Sequence, residues 1–550
     1  MKTADQLTAD KLRGGFYSPP RLVRVCLDRV AALTGGRTAL RVLEPSAGDG
    51  AFVRGLAGHE LAARVGQVTA VEVSAAAAAG CATALRAAPF AGEVIAASVL
   101  NGARPLLGRY DAAVGNPPFV RFQFLTPEDR AGALAVARDS GLPLGGVSNL
   151  WIPVLLTALT RLVPGGAFAF IVPAECLTGI SAGSVRAWLA RHAGPLRADL
   201  FPPGSFPGVL QEVIVLSGRV REPAGPGQPG VLQVTEHRAA GPAGWSHEIG
   251  GSARTWTGYL LTPAQLAALR EVFSFPLIHR FSAVARLTVS TVTGANDYFS
   301  VSDPVLGRYG LAPWARPLLP RIRHAAGLVF GADDHRALRE PGCRRWLLDF
   351  AAGRPEPQAS PLARRYLREG EARGLDQRYK CRIRAPWYRV PVVPPGSLLL
   401  SKRSHRFPRL VLNQAGAVTT DTIYQGRMTA GFAGREADLA AGFHNTVTLL
   451  TAEIEGRSFG GGVLELVPTE IGRLAVPVVP GLGAALPRLD GHVRAAGADA
   501  GSLVAQTDAL VSDALPGLTA DLLQTLREAR QSLLQRRLDR GGYEAGPSPH

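Results

Sequence analysis

The chain has 550 residues, of which 46% are hydrophobic, so it can bury more than one core and is expected to form two or three domains. Its formal charge of +16 at pH 7 favours a polyanionic partner, although lysine occurs only at positions 2, 11, 380 and 402, and an arginine-rich composition is the alternative explanation. The cysteines are scattered and the histidines lack metal-ligand spacing, which argues against a zinc site and a disulfide framework. The chain shows no apolar leader and no membrane-length segment, which argues against secretion and a membrane partner. The bacterial cytoplasm, near the nucleoid, is therefore the expected location.

The first predicted elements form one half of a doubly wound sheet. A short apolar strand from Val42 opens into a loop of small residues that contains Gly48, and a helix follows. Glycine lets a ligand approach the backbone, and the helix start offers free N–H groups. A second strand, residues 68–73, has Glu72 near its end, where an acid accepts hydrogen bonds from ribose hydroxyls. This order predicts a nucleoside-binding half-domain; a sheet that binds nothing there is the alternative.

The most informative motif follows the apolar run 110–115 and reads Asn-Pro-Pro-Phe, residues 116–119. An exocyclic amine on a nucleobase is a poor nucleophile because its lone pair is delocalised into the ring. The side-chain oxygen of Asn116 and the carbonyl of Pro117 can each accept a hydrogen bond from such an amine, and the fixed φ of proline holds that carbonyl in place. Phe119 would then stack on the base. The alternative is an ordinary turn after a strand.

Further segments complete an ordered series, and together they resemble the gamma-class DNA amino-methyltransferases, which use S-adenosylmethionine. The segments are residues 15–20 before the first strand, the helix start at 149–151, the turn and strand at 162–173, and residues 204–207. The resemblance covers residues 12 to 218, and seven matches in order are more specific than any one of them.

The resemblance implies a Rossmann-like class I S-adenosylmethionine-dependent methyltransferase domain and a set of site residues. The catalytic residues would be Asn116, Pro117, Pro118 and Phe119, with Phe119 and Phe206 stacking on the target base. The cofactor-binding residues would be Tyr17, Ser18, Pro19, Glu44, Pro45, Ala47, Gly48, Glu72, Val73, Ser98, Val99 and Asn116.

One position departs from the family. An acid commonly follows the third strand and accepts a hydrogen bond from the adenine amino group of the cofactor, but this chain has Ser98 there. A hydroxyl accepts that bond without charge assistance, so weaker cofactor binding is expected. Asp49 is an alternative polar group near the same loop.

The composition changes after residue 218, where the Pro/Gly-rich segment 221–230 predicts a linker. We therefore expect a catalytic domain at 1–220, a mixed α+β target-recognition domain at 221–490, and a helical segment with a disordered tail at 491–550. Basic and aromatic residues alternate at 377–389 and continue at 401–406, which suits phosphate and base contacts, whereas a solvated edge strand is the alternative. The expected DNA-binding residues are Lys380, Arg382, Arg384, Trp387, Tyr388, Lys402, Arg403 and Arg406.

Two later segments carry weaker signals. The glycines at 460–462 would let the backbone lie against DNA or would simply form a turn. Leu522, Leu526, Ala529 and Leu533 follow helical spacing, with Thr519 as a capping residue and Gly541-Gly542 at the end. Such a stripe is more typical of a helix packed on its own domain than of a DNA clamp.

The expected function is methyl transfer from S-adenosylmethionine to the N6 amino group of a flipped adenine in duplex DNA, without cleavage. No acid-x-Lys element of the common nucleases is present, and the catalytic motifs begin near residue 12, which leaves no room for a preceding nuclease. A separate restriction endonuclease or defence-system protein is the expected partner. Methylation of cytosine N4, methylation of RNA or of protein glutamine, and a specificity subunit with a vestigial methylase fold remain alternatives.

Overall fold

The computed structural model describes residues 18–143, 145, 147–202, 205, 212–221, 230–238, 241–250, 255–339, 342–351, 353–459, 461–495 and 500–539. The chain divides into two compact units, Met1–Pro263 and Ala264–His550. No helix within these ranges is long and apolar enough to cross a membrane.

The first unit is built on one nine-stranded sheet with the strand order β3-β2-β1-β4-β5-β7-β6-β8-β9. The strands β1 to β5 run parallel to one another, and β7 lies antiparallel between β5 and β6. This topology confirms the predicted Rossmann-like α/β fold. The strands are β1 (Leu40–Glu44), β2 (Val65–Val71), β3 (Ala91–Ile95), β4 (Tyr110–Gly115), β5 (Leu162–Pro173), β6 (Leu196–Leu200), β7 (Val213–Arg219), β8 (Gly230–Arg238) and β9 (Gly241–Ile249).

Helices cover this sheet and bury its apolar strands. The helices are α1 (Pro20–Thr34), α2 (Ala51–Ala57), α3 (Ala75–Arg86), α4 (Pro127–Asp139), α5 (Trp151–Thr160), α6 (Glu175–Thr178) and α7 (Gly183–His192). Helix α1 buries Leu22, Cys26 and Val30, spaced by four residues, because that spacing keeps side chains on one helical face. These residues share a core with Val42 of β1 and Ile171 of β5. The core thereby fixes the strand ends that carry the predicted site.

The first unit extends past residue 220, where the sequence places the domain boundary. Strand β8 pairs in parallel with β6, and β9 pairs with β8, so both continue the sheet. Asp199 of β6 is fully buried and accepts hydrogen bonds from Arg29 of α1 at 2.9 and 2.5 Å. The ring of His237 on β8 lies 2.9 Å from the same carboxylate. In the sequence β8 lies beyond the predicted domain boundary, whereas the structure pairs it with the nine-stranded sheet of the first unit.

The second unit is a mixed α+β structure, as predicted, with several small sheets. Its strands are β10 (Ile278–Arg280), β11 (Ala285–Thr288), β12 (Ser300–Val301), β13 (Ala315–Leu319), β14 (Val329–Phe330), β15 (Trp346–Leu348), β16 (Leu398–Ser401), β17 (Arg403–Ser404), β18 (Leu410–Asn413), β19 (Val418–Thr419), β20 (Ile423–Met428), β21 (Arg457–Phe459), β22 (Val463–Glu465) and β23 (Ala475–Pro477). The largest of these sheets has five strands in the order β11-β20-β16-β18-β14.

Helices of this unit pack around those sheets. They are α8 (Pro263–Val272), α9 (Phe281–Val284), α10 (Asn296–Phe299), α11 (Asp303–Arg308), α12 (Ala332–Ala337), α13 (Pro361–Ala372), α14 (Tyr379–Arg382), α15 (Glu436–Gly442), α16 (Thr446–Glu455), α17 (Pro468–Ile471), α18 (Leu486–Arg494), α19 (Ala500–Ala514) and α20 (Ala520–Asp539).

The last helix, α20, packs on α16 of its own unit, in agreement with the sequence-based interpretation. The Thr519 hydroxyl accepts a hydrogen bond from the Leu522 amide at 3.3 Å and so caps the helix. Near its end, Arg537 donates to both carboxylate oxygens of Glu453 at 2.8 and 2.6 Å, and both side chains are buried. The expected helix end at Gly541-Gly542 and the expected disordered tail lie outside the described residues.

Candidate active site

The loop after β1 is held by the acid at the end of β2. One carboxylate oxygen of Glu72 accepts a hydrogen bond from the Gly48 amide at 2.9 Å, and the other accepts from the Ser74 amide at 2.8 Å. Gly48 has a φ of 56°, a left-handed conformation that favours glycine, and no atom lies within 4 Å of where a Cβ would stand. The loop therefore presents open backbone beside an acid whose remaining lone pairs can accept further bonds.

The Asn-Pro-Pro-Phe corner lies against this loop because β1 and β4 are neighbours in the sheet. The Ser46 hydroxyl donates a hydrogen bond to the backbone carbonyl of Asn116 at 3.3 Å. Asn116 is half-buried, Pro117 is buried, and the partly buried Phe119 packs against the core of the unit. The two motifs, 70 positions apart in the sequence, thus lie side by side at the ends of β1 and β4.

A buried carboxyl group lies at the end of β1. Glu44 is 2% exposed, and its Oε2 has no hydrogen-bond partner among the described residues. Burial raises the pKa of Glu44 well above its usual value, and the negative charges of Glu72 and Asp49 raise it further, against the opposing effect of Arg54. These effects favour the protonated, neutral form of the Glu44 carboxyl group.

Other predicted cofactor residues lie around the same strand ends. Val73 follows Glu72 and is 69% exposed, so its apolar side chain is open to solvent beside the loop. Ser18 and Asp49 line a cavity of about 620 Å³ beside the start of α2, which brings the segment before β1 next to the loop. Ala47 and Val99 are buried; Tyr17 and Phe206 lie outside the described residues.

Ser98 follows β3 and forms a contact that the sequence does not reveal. Its hydroxyl donates a hydrogen bond to the Asp129 carboxylate at 3.1 Å, across 31 positions. Asp129 lies in the first turn of α4, and its amide in turn donates to the Thr126 hydroxyl at 3.1 Å. The capping pattern of Thr126 and Asp129 is visible in the sequence, but its contact with Ser98 is not.

In the second unit, two of the predicted DNA-binding cations flank an exposed aromatic ring. Lys380 and Arg382 lie 5.8 and 5.7 Å from the ring centroid of Tyr379, which is 65% exposed. Ile383, four positions along on the same short segment, is 62% exposed. Tyr379 and Ile383 are not among the predicted DNA-binding residues, although both lie in the predicted segment of alternating basic and aromatic residues at 377–389.

Three neighbouring residues of that segment serve the fold. Arg384 donates to the backbone carbonyls of Thr293 and Val292 at 2.7 and 2.8 Å. Tyr388 is only 5% exposed and its hydroxyl donates to Glu356 at 3.0 Å, so its ring lies in the core instead of at the expected surface. Trp387 is partly buried against the same core.

The predicted DNA-binding residues at 401–406 differ in exposure and in their contacts. Arg403 is exposed but ion-paired with Glu465, Lys402 is half-buried, and Arg406 is exposed. Gly461 and Gly462 have φ values of 80° and 69°, and a Cβ on Gly462 would lie 3.2 Å from the backbone of α20. Gly461 and Gly462 therefore form a tight turn packed on α20, the second of the two alternatives for this segment. Gly460 lies outside the described residues.

No group of three or more histidine, cysteine, aspartate or glutamate side chains that could hold a metal ion occurs in the described part of the chain. The site around β1, β2 and β4 offers hydrogen-bond acceptors, open glycine backbone and a buried carboxyl group.

Two comparisons identify similar proteins: one match lies mostly within the second unit, and the other covers most of the chain. Residues 253–512 match the family model for the C-terminal domain of the type II methyltransferase M.Eco57I. The type II methyltransferase M.XamI of Xanthomonas campestris pv. amaranthicola is 24% identical over 493 residues, which is 86% of each chain.

A solved structure shares the fold, and a second one was matched at lower similarity. The type IIL restriction-modification enzyme MmeI, in complex with DNA, is 14% identical with a TM-score of 0.50, over 94% of this chain and 72% of that one. The type IIG restriction endonuclease BpuSI is 14% identical with a TM-score of 0.44, over 96% of this chain and 66%, just under two thirds, of that one.

Proposed function

We propose that this chain is a DNA methyltransferase of the type II modification kind, similar to M.Eco57I and M.XamI, and that it transfers a methyl group from S-adenosylmethionine to the N6 amino group of an adenine in duplex DNA. The observation that carries the proposal is the hydrogen bond from Ser46 to the Asn116 carbonyl, because it holds the amine-binding corner against the loop that would bind the methyl donor.

The residues around the loop fit S-adenosylmethionine. Gly48 leaves space for a ligand at the backbone, and Glu72 has lone pairs left for the ribose hydroxyls. The exposed Val73 offers an apolar surface for the adenine ring. Glu44 has an unpartnered carboxyl oxygen in a buried position, which suits a cationic ligand. When bound, the cofactor supplies an electrophilic sulfonium methyl group, and transfer to an amine leaves the thioether.

Asn116 and Pro117 would act on the target amine. Their two oxygen acceptors draw the N–H bonds of the amine out of the base plane, so its lone pair turns toward the methyl group. Phe119 stacks on the flipped base and limits its rotation. The amine loses its extra proton after transfer, so positioning carries the rate and no tuned general base is required.

The second unit would bind the duplex. Lys380 and Arg382 are exposed cations for backbone phosphates, and Tyr379 and Ile383 between them offer an apolar surface for sugar or base. We leave Tyr388 and Arg384 out of the proposed contact surface because both are engaged within the unit.

The proposal is tested by incubating the full chain with radiolabelled S-adenosylmethionine and, separately, duplex DNA, RNA and protein. Label in DNA, identified as N6-methyladenine by nucleoside chromatography, supports it. N4-methylcytosine would move the target to cytosine, and label only in RNA or protein would overturn the DNA assignment. Sequence-specific DNA binding without cofactor binding would indicate a vestigial specificity subunit.

We also propose that the chain modifies DNA without cutting it and acts beside a separate endonuclease or defence protein. Each of its four lysines lacks an acid two positions before it, as the common nuclease element requires. Magnesium-dependent cleavage of plasmid DNA by the pure chain would overturn this part of the proposal.

A further inference from the structure

The position after β3 lacks the acid that would accept a hydrogen bond from the adenine amino group, but the structure brings an acid to it from elsewhere. The Ser98 hydroxyl donates to Asp129 Oδ1 at 3.1 Å. A hydroxyl that donates to a carboxylate keeps its lone pairs available and becomes a stronger acceptor, because hydrogen bonds in a chain polarise one another. Ser98 can therefore accept from an amino group with the help of the Asp129 charge.

The local packing holds this pair in place. The side-chain amide of Asn101 donates to the backbone carbonyl of Glu128 at 3.4 Å, which ties the loop after β3 to the first turn of α4. A Cβ on Gly132 would lie 2.2 Å from the Asn101 side-chain oxygen and 3.0 Å from the Cβ of Leu100, so α4 lies close against the loop at this glycine. The contact between Ser98 and Asp129 is thus part of a tightly packed junction.

Helix capping uses only one of the two carboxylate oxygens of Asp129. Its Oδ2 accepts from the Thr126 hydroxyl at 3.1 Å, which completes a cap at the start of α4. Its Oδ1 faces Ser98 instead. The Glu72 amide donates to the carbonyl of Ile95 at 3.1 Å, so the loop after β3 adjoins the proposed ribose acid.

We propose that Asp129, acting through the Ser98 hydroxyl, is the positioning residue that selects the amino-bearing adenine of the cofactor. The inference rests on the proposed use of S-adenosylmethionine. In this proposal the negative charge comes from Asp129 at the start of α4, about 30 positions after Ser98, instead of from an acid directly after the third strand.

The test is calorimetric titration of the full chain with two ligands, S-adenosylmethionine and its analogue in which hydrogen replaces the 6-amino group. Asp129→Asn should weaken binding of S-adenosylmethionine about tenfold and leave binding of the analogue unchanged, because only the former donates to Ser98. Glu128→Gln, a change of an exposed acid in the same helical turn, should affect neither ligand.

A charge exchange sharpens the test. Ser98→Asp alone would set two carboxylates within hydrogen-bond distance and should not improve binding, whereas Ser98→Asp with Asp129→Asn should restore affinity to within about threefold of the wild type. Equal losses for both ligands, or no loss in Asp129→Asn, would overturn the inference. If the wild-type chain binds neither ligand, the proposed cofactor itself is wrong.

Discussion

The Ser46 hydroxyl lies 3.3 Å from the backbone carbonyl of Asn116, and this contact joins the loop after β1 to the corner after β4. The Asn116 side chain is thereby held near the loop without taking part in the contact. A change confined to that side chain should therefore separate chemistry from cofactor binding.

Asn116→Ala should lower methyl transfer by at least about 100-fold, because it removes one of the two proposed acceptors for the target amine. Cofactor affinity, measured by calorimetry, should change little. Gln123→Ala, at an exposed position nearby, is the control and should keep full activity. An Asn116→Ala chain that retains most of its transfer rate would remove Asn116 from the mechanism.

Glu44 makes stability depend on pH. Burial raises the pKa of Glu44 in the folded chain, so the folded state holds a proton that the unfolded state releases at about pH 4.3. Because the folded state binds more protons in that window, the free energy of unfolding should fall as the pH rises from the ordinary glutamate pKa through the raised one. Glu44→Gln should remove this loss.

The measurement is the denaturation midpoint between pH 4 and pH 8. Glu60→Gln, which changes an exposed acid, should follow the wild-type curve. Parallel curves for wild type and Glu44→Gln would show that Glu44 is ionised in the folded chain. Proton release on cofactor binding, read from titrations in buffers of different ionisation enthalpy, gives a second check.

The exposed segment around α14 should contribute to DNA affinity in two ways: through salt-dependent phosphate contacts and through packing of an aromatic ring. Lys380→Gln and Arg382→Gln should each lower the slope of log affinity against log salt by about 0.9, because each removes one phosphate contact. Tyr379→Ala should weaken binding about tenfold through lost stacking or sugar packing and leave that slope nearly unchanged.

Filter binding at several salt concentrations distinguishes the two effects. Arg270→Gln, at an exposed position on α8, is the control for a general loss of charge. If Arg270→Gln changes the slope as much as Arg382→Gln does, the duplex is attracted by overall charge and the α14 segment has no special role.

The pair of Arg537 and Glu453 should stabilise the second unit strongly. Their side chains are 3% and 4% exposed, and Arg537 also donates to the carbonyl of His405 at 2.6 Å. Arg537→Ala leaves a buried carboxylate without its partner, which costs about 3–5 kcal/mol of unfolding free energy. Chemical denaturation measures this, with the exposed Gln531→Ala as control on the same helix. Equal midpoints would contradict the prediction.

The sequence was most informative where a function depends on neighbours along the chain. The loop with Gly48, the acid Glu72 and the Asn116 corner each follow a strand directly, so strand order alone predicted that they would meet. The contact of Ser98 with Asp129 joins a loop to a distant helix, and no local pattern encodes it.

Side-chain burial was harder to predict in the basic segment. Tyr379 and Tyr388 share the same setting of arginines and aromatics, yet one is 65% exposed and the other 5%. Which face of the segment meets the core depends on packing partners such as Glu356, more than 20 positions away. Composition therefore located the segment and could not assign its individual contacts.

Strands β8 and β9 bear on any attempt to exchange the second unit of this chain for that of a similar protein, as a test of its proposed role in target recognition would require. A junction at residue 220 would separate β8 from its partner β6 and leave the buried Asp199 without its contact to His237. A hybrid joined after Pro263 would retain all nine strands of the sheet in the first unit. Module exchange is therefore expected to yield folded hybrids at the later junction and aggregated ones at the earlier.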